Sequence, residues 1–564
     1  MTKHLYIFLT FLLPFLSKAQ NTENLISIED SAYDAYIAQS KVTINGQFVH
    51  FSPDELAKIT INYNIVVPLR KFKNAEVPKI NADGTFELVI HNTHPIQQIW
   101  LEIGNYFYAP LYVRSDLSIV FDLEQLRKKK VWTHGEGVVY SGSDGALNDF
   151  MGTYNLRQNN INVPLNREKE VLLSAKNKLN SLEFMKQFDR IMAQYKESDD
   201  AFVKENPSPH SWIIENERQS YYYQAVCAYH WGRKMDNWVW EKVKNHKSYL
   251  MTNDACRYYS YLYNYLKYLI SAHPSIDFGS VADWRRIAEV PDLNPNKRPL
   301  LNKTIDNPRN ISDATFDAFA KEIDFVLFEK SAAFTLVLFD SLFAQPKSDF
   351  LKFHLESKNP NEQKIIVDLL LNNIKTEWCK ANISAEYEKT LRNVHKINQS
   401  LAQTNALNGV QSLGQPILET PFGAQLYRID KLSAETLLAS LKQKAQNKAM
   451  IIDFWATWCG PCVEGMPRMK KLNEETKDLP TEFIYICTSR GSSMEKWSNK
   501  IMELQQSGIH IYLEDTINAE LMSLFSFSTF PNYAFIDKTG KFISGTFNDK
   551  SNFKAEKIKE LLRY

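Results

Sequence analysis

Two cysteines, Cys459 and Cys462, stand two residues apart, with Gly460 and Pro461 between them and Trp458 in front. That spacing suits thiol–disulfide exchange. The run Ala449-Met-Ile-Ile-Asp-Phe-Trp-Ala before them is continuously apolar apart from one acid, as a central buried strand is. A helix is expected to start at Cys459. A helix N-terminus offers unpaired N–H groups and partial positive charge, and both favour thiolate over thiol. Cys462 then lies one turn further on, within reach of a mixed disulfide formed at Cys459. Pro461 fits the first turn, where no N–H is needed, and Pro467 is expected to kink the helix. A zinc half-site would need a second Cys or His pair, and none is suitably spaced. Haem attachment would need a His where Val463 stands.

Two further positions belong with this pair. Asp453, six residues before Cys459, is an acid in an apolar strand, which is costly unless used. Burial would raise its pKa and make it a proton acceptor for Cys462. Phe530-Pro531 precedes another apolar run, where a cis peptide would set backbone beside the two sulfurs.

The elements that must hold these residues read as α/β. Thr481-Glu-Phe-Ile-Tyr-Ile-Cys-Thr is a second buried strand. Helix Met494 to Gln506, strand Ile509 to Leu513 and helix Asn518 to Phe525 follow. A hairpin turns at Asp537-Lys-Thr-Gly540, and Lys554 to Leu562 closes the chain. The segment 415–564 is expected to be a complete unit that folds alone.

Upstream the pattern differs. Residues 35–143 carry short alternating segments such as Lys41-Val-Thr-Ile-Asn and Thr85-Phe-Glu-Leu-Val-Ile, with turn signals at Asn45-Gly46 and Asp83-Gly84. They predict an all-β sandwich or barrel. Residues 144–405 read as a mainly α region, including stretches at 168–205 and 317–343 and a Pro-interrupted part at 272–310. Asn398 to Gly414 reads as a linker. The chain is thus expected to be multidomain: a β-domain, a helical domain and a C-terminal α/β domain.

Bulk properties narrow the function classes. The chain has 564 residues, 66 Lys plus Arg against 65 Asp plus Glu, and 44% hydrophobic residues. The charge balance gives no case for nucleic acid or an anionic membrane surface. A short basic start, the apolar run Leu5 to Leu16 and Ser17-Lys-Ala-Gln20 describe a secretory signal peptide over 1–19, cleaved after Ala19. No later segment is apolar enough to cross a membrane, so stable membrane insertion is not expected. Six cysteines are few for an exported chain, so disulfides are not expected to hold the fold together. Cys227 and Cys256 could pair, while Cys379 and Cys487 read as inert buried thiols. His50, His91, His94 and His134 are scattered singly and read as surface residues.

The run Asp453-Phe-Trp-Ala-Thr-Trp-Cys-Gly-Pro-Cys462 with Pro467, then Phe530-Pro531 and Asp537-Lys-Thr-Gly540, closely resembles the TlpA/ResA-like thiol–disulfide oxidoreductases of the thioredoxin superfamily. The resemblance covers about 150 of 564 residues. It implies a thioredoxin fold over 415–564, Cys459 as attacking thiol, Cys462 as resolving thiol, Pro531 as cis-proline and a periplasmic location. Trp458, Gly460, Pro461 and Phe530 would support the site. Two places depart from the pattern. Gly465 stands where many exported members carry Glu, and bulky Phe530 stands where Thr, Ile or Val is common. Residues 40–140, with Tyr140-Ser-Gly-Ser-Asp-Gly-Ala-Leu-Asn148, are similar to the β-domain preceding such domains in Bacteroidetes-type exported proteins.

The leading expectation is an exported reductase of protein disulfides in the periplasm or cell envelope. It would need no cofactor beyond the Cys459–Cys462 couple and no metal, and a membrane or periplasmic thiol donor would recharge it. A thiol peroxidase is disfavoured, because Ile452 and Ala456 occupy the places of the peroxidatic Pro and Thr. The same residues would also serve a disulfide isomerase, or an envelope binding protein whose front domains carry the main role.

Overall fold

A computed structural model describes residues 25–67, 78–161, 163–174, 178–271, 329, 331–355, 360–402, 413–547 and 553–563. The expected signal peptide, the stretch 272–310 and the first part of the expected helix at 317–343 lie outside these residues. The chain divides into two units, Met1–Ser271 and Ala272–Tyr564.

In the first unit, alternation of apolar and polar residues buries one face of each strand. Val42, Ile44, Phe48 and their neighbours on β1 (Lys41–Val49) share a core with Ile99, Leu101 and Ile103 on β4 (Gln97–Ile103). The other strands are β2 (Ile61–Ile65), β3 (Thr85–His91), β5 (Phe107–Val113), β6 (Asp116–Asp122), β7 (Val131–Trp132) and β8 (Val138–Ser141). They form two four-stranded sheets, ordered β3-β1-β6-β8 and β2-β4-β5-β7, closed over that core as a sandwich. It is not wholly β, since short helices occupy Tyr33–Gln39, Pro53–Leu56 and Leu123–Leu126. Asp83-Gly84 is a turn, with Gly84 at φ +83°. Asn45-Gly46 is not a turn: it lies inside β1. A Cβ on Gly46 would sit 1.9 Å from the Phe86 ring on β3, so glycine there admits a cross-strand aromatic. His94 is not a surface residue either. It is buried against Tyr33, and burial lowers its pKa to about 3.

Helices Gly145–Ile161, Val163–Ser174, Ser181–Glu205, Trp212–Tyr229, Asn237–Asn245 and Asn253–Ser271 complete this unit. Helices Trp212–Tyr229 and Asn253–Ser271 pack together, and Cys227 and Cys256 on them are buried thiols rather than a disulfide.

In the second unit a seven-stranded sheet runs β15-β14-β11-β12-β13-β10-β9. Its strands are β9 (Leu418–Glu419), β10 (Ala424–Ile429), β11 (Ala449–Trp455), β12 (Thr481–Thr488), β13 (Gly508–Leu513), β14 (Asn532–Ile536) and β15 (Phe542–Ile543). Strands β11, β12, β13 and β10 are mutually parallel, and β14 runs antiparallel to β11. Helices Gly460–Glu475, Met494–Leu504 and Ala555–Leu562 cover one face through Met466, Trp497 and Ile558. Helices Ala434–Ala445 and Asp515–Leu524 cover the other through Leu437, Leu441 and Leu521.

A third helix joins that second face. Glu377–Ala402, which the sequence groups with the helical region, buries Ile397 and Leu401 in the same cluster. Asn393 Nδ2 donates to the Ser523 carbonyl at 2.8 Å, and Asn398 Oδ1 accepts from the Phe542 N–H at 2.9 Å. Earlier on the same helix, Cys379 and Ile383 pack with Ile366, Val367 and Leu370 of helix Pro360–Asn373. One helix therefore belongs to two cores. Among the described residues no helix is long and apolar enough to cross a membrane.

Candidate active site

Every residue of β11 is buried, because parallel β12 and antiparallel β14 flank it and helices lie on both faces. The strand ends at Trp455, and the chain turns into helix Gly460–Glu475 with Cys459 as its N-cap (φ −82°, ψ 94°). Cys459 Sγ accepts from the Cys462 N–H at 3.2 Å. Pro461 lies in the first turn, and the helix continues through Pro467 to Glu475. Cys459 and Cys462 are joined as a disulfide with Cα atoms 5.3 Å apart, and both are buried. On reduction, the amide N–H groups and partial positive charge of this helix end face Cys459 and stabilise its thiolate.

The antiparallel register pairs Phe454 with Asn532. That register carries the cis Phe530–Pro531 peptide next to the cysteine turn. Rings of Trp458 and Phe530 meet edge to face, with centroids 5.9 Å apart. The structure thus gathers Trp458, Cys459, Gly460, Pro461, Cys462, Phe530 and Pro531 in one place.

Sequence reading did not find the clamp that holds this turn. Trp458 is 57% exposed, yet its Nε1 donates to the Arg490 carbonyl at 2.7 Å. Gly491 follows at φ +66°, and a Cβ on it would stand 2.9 Å from that indole nitrogen. Ser492 Oγ accepts from the Thr457 N–H at 3.2 Å and contacts Thr457 Oγ1 at 3.1 Å. The Ser492 carbonyl accepts from the Tyr512 hydroxyl at 2.6 Å. The loop after β12 thus fixes the residues before Cys459 through bonds between groups far apart in sequence, which spacing alone does not show.

Asp453 shares the cysteine-facing side of β11 with Ile451 and Trp455. It is 3% exposed, its Oδ1 has no hydrogen-bond partner, and burial raises its pKa to about 8. Gly465 packs toward the Tyr533 hydroxyl, 3.6 Å from where a Cβ would be. With glycine at 465, Asp453 is the acid that the central strand supplies to this face.

A stability prediction follows from the Asp453 shift. An unfolded Asp titrates near 3.9, so between about pH 4 and 8 the unfolded chain releases this proton while the folded chain keeps it. Stability should fall as pH rises through that window, by roughly 4 kcal/mol from pH 4 to 7. Asp453→Asn should abolish this dependence and be the more stable protein at pH 7. It should also slow resolution of a mixed disulfide by roughly ten- to a thousandfold. Urea unfolding at pH 5 and 8 checks the first part and stopped-flow with a peptide disulfide the second. Equal pH slopes in both proteins would mean the carboxyl is not held protonated.

Cys487 on β12 is buried, and its thiol is pushed up to about 12 mainly by burial, so it is a poor nucleophile. No cluster of His, Cys, Asp and Glu among the described residues could hold a metal ion.

The Redoxin family model matches residues 430–561. The thioredoxin-like protein YneN of Bacillus subtilis is 50% identical over 36 residues, 6% of this chain and 21% of that one. Mitochondrial thioredoxin-3 of Saccharomyces cerevisiae is 35% identical over 65 residues, 12% of this chain and 50% of that one. The chain therefore spans half or less of the length of these relatives. The thioredoxin domain of a thiol-disulfide oxidoreductase from Bacteroides vulgatus is 18% identical, covering 21% of this chain and 83% of that one, with a TM-score of 0.20. Residues 430–561 are therefore similar to the Redoxin family.

Proposed function

We propose that this protein is an exported thiol–disulfide oxidoreductase that reduces protein disulfides in the periplasm or cell envelope. One observation carries the reading: Cys459 caps a helix whose next turn holds Cys462, with the buried acid Asp453 on the same face of the strand behind. In the reduced form, the Cys459 thiolate attacks a sulfur of the substrate disulfide and expels one substrate thiolate. Cys462 gives up its proton to Asp453, in the fraction of molecules whose carboxyl is ionised, and attacks Cys459 Sγ. The second substrate thiolate leaves, two electrons have moved, and the Cys459–Cys462 disulfide remains. An external thiol donor of the membrane or periplasm must then reduce that disulfide.

The direction of electron flow follows from what faces the thiolate. Gly460 and Pro461 between the cysteines supply no charge or side-chain donor. Strong oxidants arise where the reduced thiolate is heavily stabilised, at about −120 mV, against about −270 mV for thioredoxin. The couple here should lie nearer the second. Equilibration with glutathione and dithiothreitol buffers measures it. A value above about −180 mV would reject the reductase in favour of an oxidase or isomerase.

A further inference from the structure

The face of the sheet that carries the cysteines also carries a polar row. Register pairs Tyr533 with Asp453, Asp453 with Tyr485 and Tyr485 with His510, so these side chains lie side by side across β14, β11, β12 and β13. The Tyr485 and His510 rings stack with centroids 4.6 Å apart and planes 14° from parallel. Gln506, in the turn before β13, closes the row: its carbonyl accepts from His510 Nε2 at 2.9 Å. A carbonyl only accepts, so Nε2 bears the proton and Nδ1 is left as an acceptor.

Four members of this row are nearly inaccessible: Asp453 at 3%, Tyr485 at 0%, Gln506 at 1% and His510 at 1%. Each has a polar atom without a hydrogen-bond partner, namely Asp453 Oδ1, Tyr485 Oη, Gln506 Nε2 and His510 Nδ1. The Tyr485 hydroxyl has the side-chain amides of Gln506 and Asn473 as hydrogen-bonding neighbours, although neither meets it with ordinary hydrogen-bond geometry. Four dry polar atoms would cost a large share of a domain's stability. Their chemistry is complementary to water: two acceptors, one donor, and one hydroxyl that is both. We propose that these groups bind internal water, forming a hydrated seam from Asp453 past Tyr485 to Gln506 and His510, and that Asp453 exchanges its proton with solvent along it.

The seam runs away from the disulfide toward the turn at 505–507, where Gln505 is exposed. The titratable groups that neighbour Asp453 in this layer are held neutral. Tyr485 and Cys487 on β12 and Tyr533 on β14 are held neutral mainly by burial. His510 is neutral for the same reason. On the helix above, Cys459 and Cys462 are joined, and the Arg468 charge acts on Tyr533. Helices Met494–Leu504 and Ala555–Leu562 present Trp497, Ile501 and Ile558 to this layer. The water site rests on packing alone, while its proton duty rests on the role given to Asp453 above.

Two measurements on the full chain test this. A crystal structure at atomic resolution should show ordered water bonded to at least two of the four atoms. A direct Tyr485–Gln506 bond with no water in the row would overturn the seam. The carboxyl stretch of Asp453, identified by its loss in Asp453→Asn, should shift on transfer to heavy water. That exchange should slow at least tenfold in Tyr485→Phe and in Gln506→Met, with thermal unfolding confirming that each is folded. Unchanged exchange in whichever variant folds would overturn the route. Water and slowed exchange in a protein that reduces no disulfide would support the seam and sink the reductase reading instead.

Discussion

Cys462→Ser is expected to turn the protein into a trap. Cys459 keeps its place at the helix end, and the residue 462 backbone N–H that points at its sulfur is retained, so attack on a substrate disulfide should proceed. Release should fail, because the group that attacks the mixed disulfide is gone. Turnover of an insulin-like substrate should fall by at least about a thousandfold, and a one-to-one adduct that dithiothreitol dissolves should accumulate. Cys459→Ser should be equally inactive and form no adduct. Cys487 cannot substitute, since burial pushes its thiol up to about 12. If Cys462→Ser turned over normally, the two-cysteine mechanism would be wrong. The trapped adduct also names the physiological partner.

The second large effect concerns helix Glu377–Ala402. Its residues Ile397 and Leu401 are 0% and 3% exposed, locked among Leu437, Leu441, Ile536 and Phe542. A fragment beginning at 415 loses both, together with the bonds from Asn393 and Asn398. Truncating either buried residue to alanine should cost about 2–5 kcal/mol in the full chain. Removing the helix should cost more, against a whole-domain stability of about 5–15 kcal/mol. The fragment 415–564 should therefore be unfolded or aggregated, and 377–564 should fold. Circular dichroism and urea midpoints of the two decide. Equal midpoints would make the helix a passenger, and the boundary at 415 would stand.

That helix shows where the sequence is hard to read. Its polar, periodic pattern announces a helix but not a partner. Cys379 and Ile383 serve one cluster while Ile397 and Leu401 serve another, and periodicity is blind to which surface an apolar stripe meets. The cysteine pair is legible because spacing, proline and the preceding apolar run all act locally. Asp453 stands out as the lone acid in that run. Tyr485 and His510 do not, since an aromatic and a histidine in apolar strands look like ordinary core until register sets them beside Asp453. Strand β10 and helix Ala434–Ala445 escape a sequence reading, though both are needed to complete the sheet and one of its faces. In the sandwich, Asn45-Gly46 carries a strong hairpin signal that is overridden by tertiary fit against Phe86. Strand β5 hides behind Pro110, which the sheet tolerates because β7 covers only Phe107 and Tyr108.

The clamp on Trp458 has an optical consequence. An indole that is exposed yet fixed by Arg490 cannot swing away from the neighbouring sulfurs, so it sits beside the disulfide in a constant orientation. A disulfide accepts an electron from an excited indole, and a dithiol does so far less readily. Emission should therefore brighten as the couple is reduced and dim as it is oxidised. The protein carries its own redox gauge in Trp458 and in Trp455, which packs in the same cluster as the two cysteines, and Trp458→Phe should remove the part of the change that Trp458 contributes.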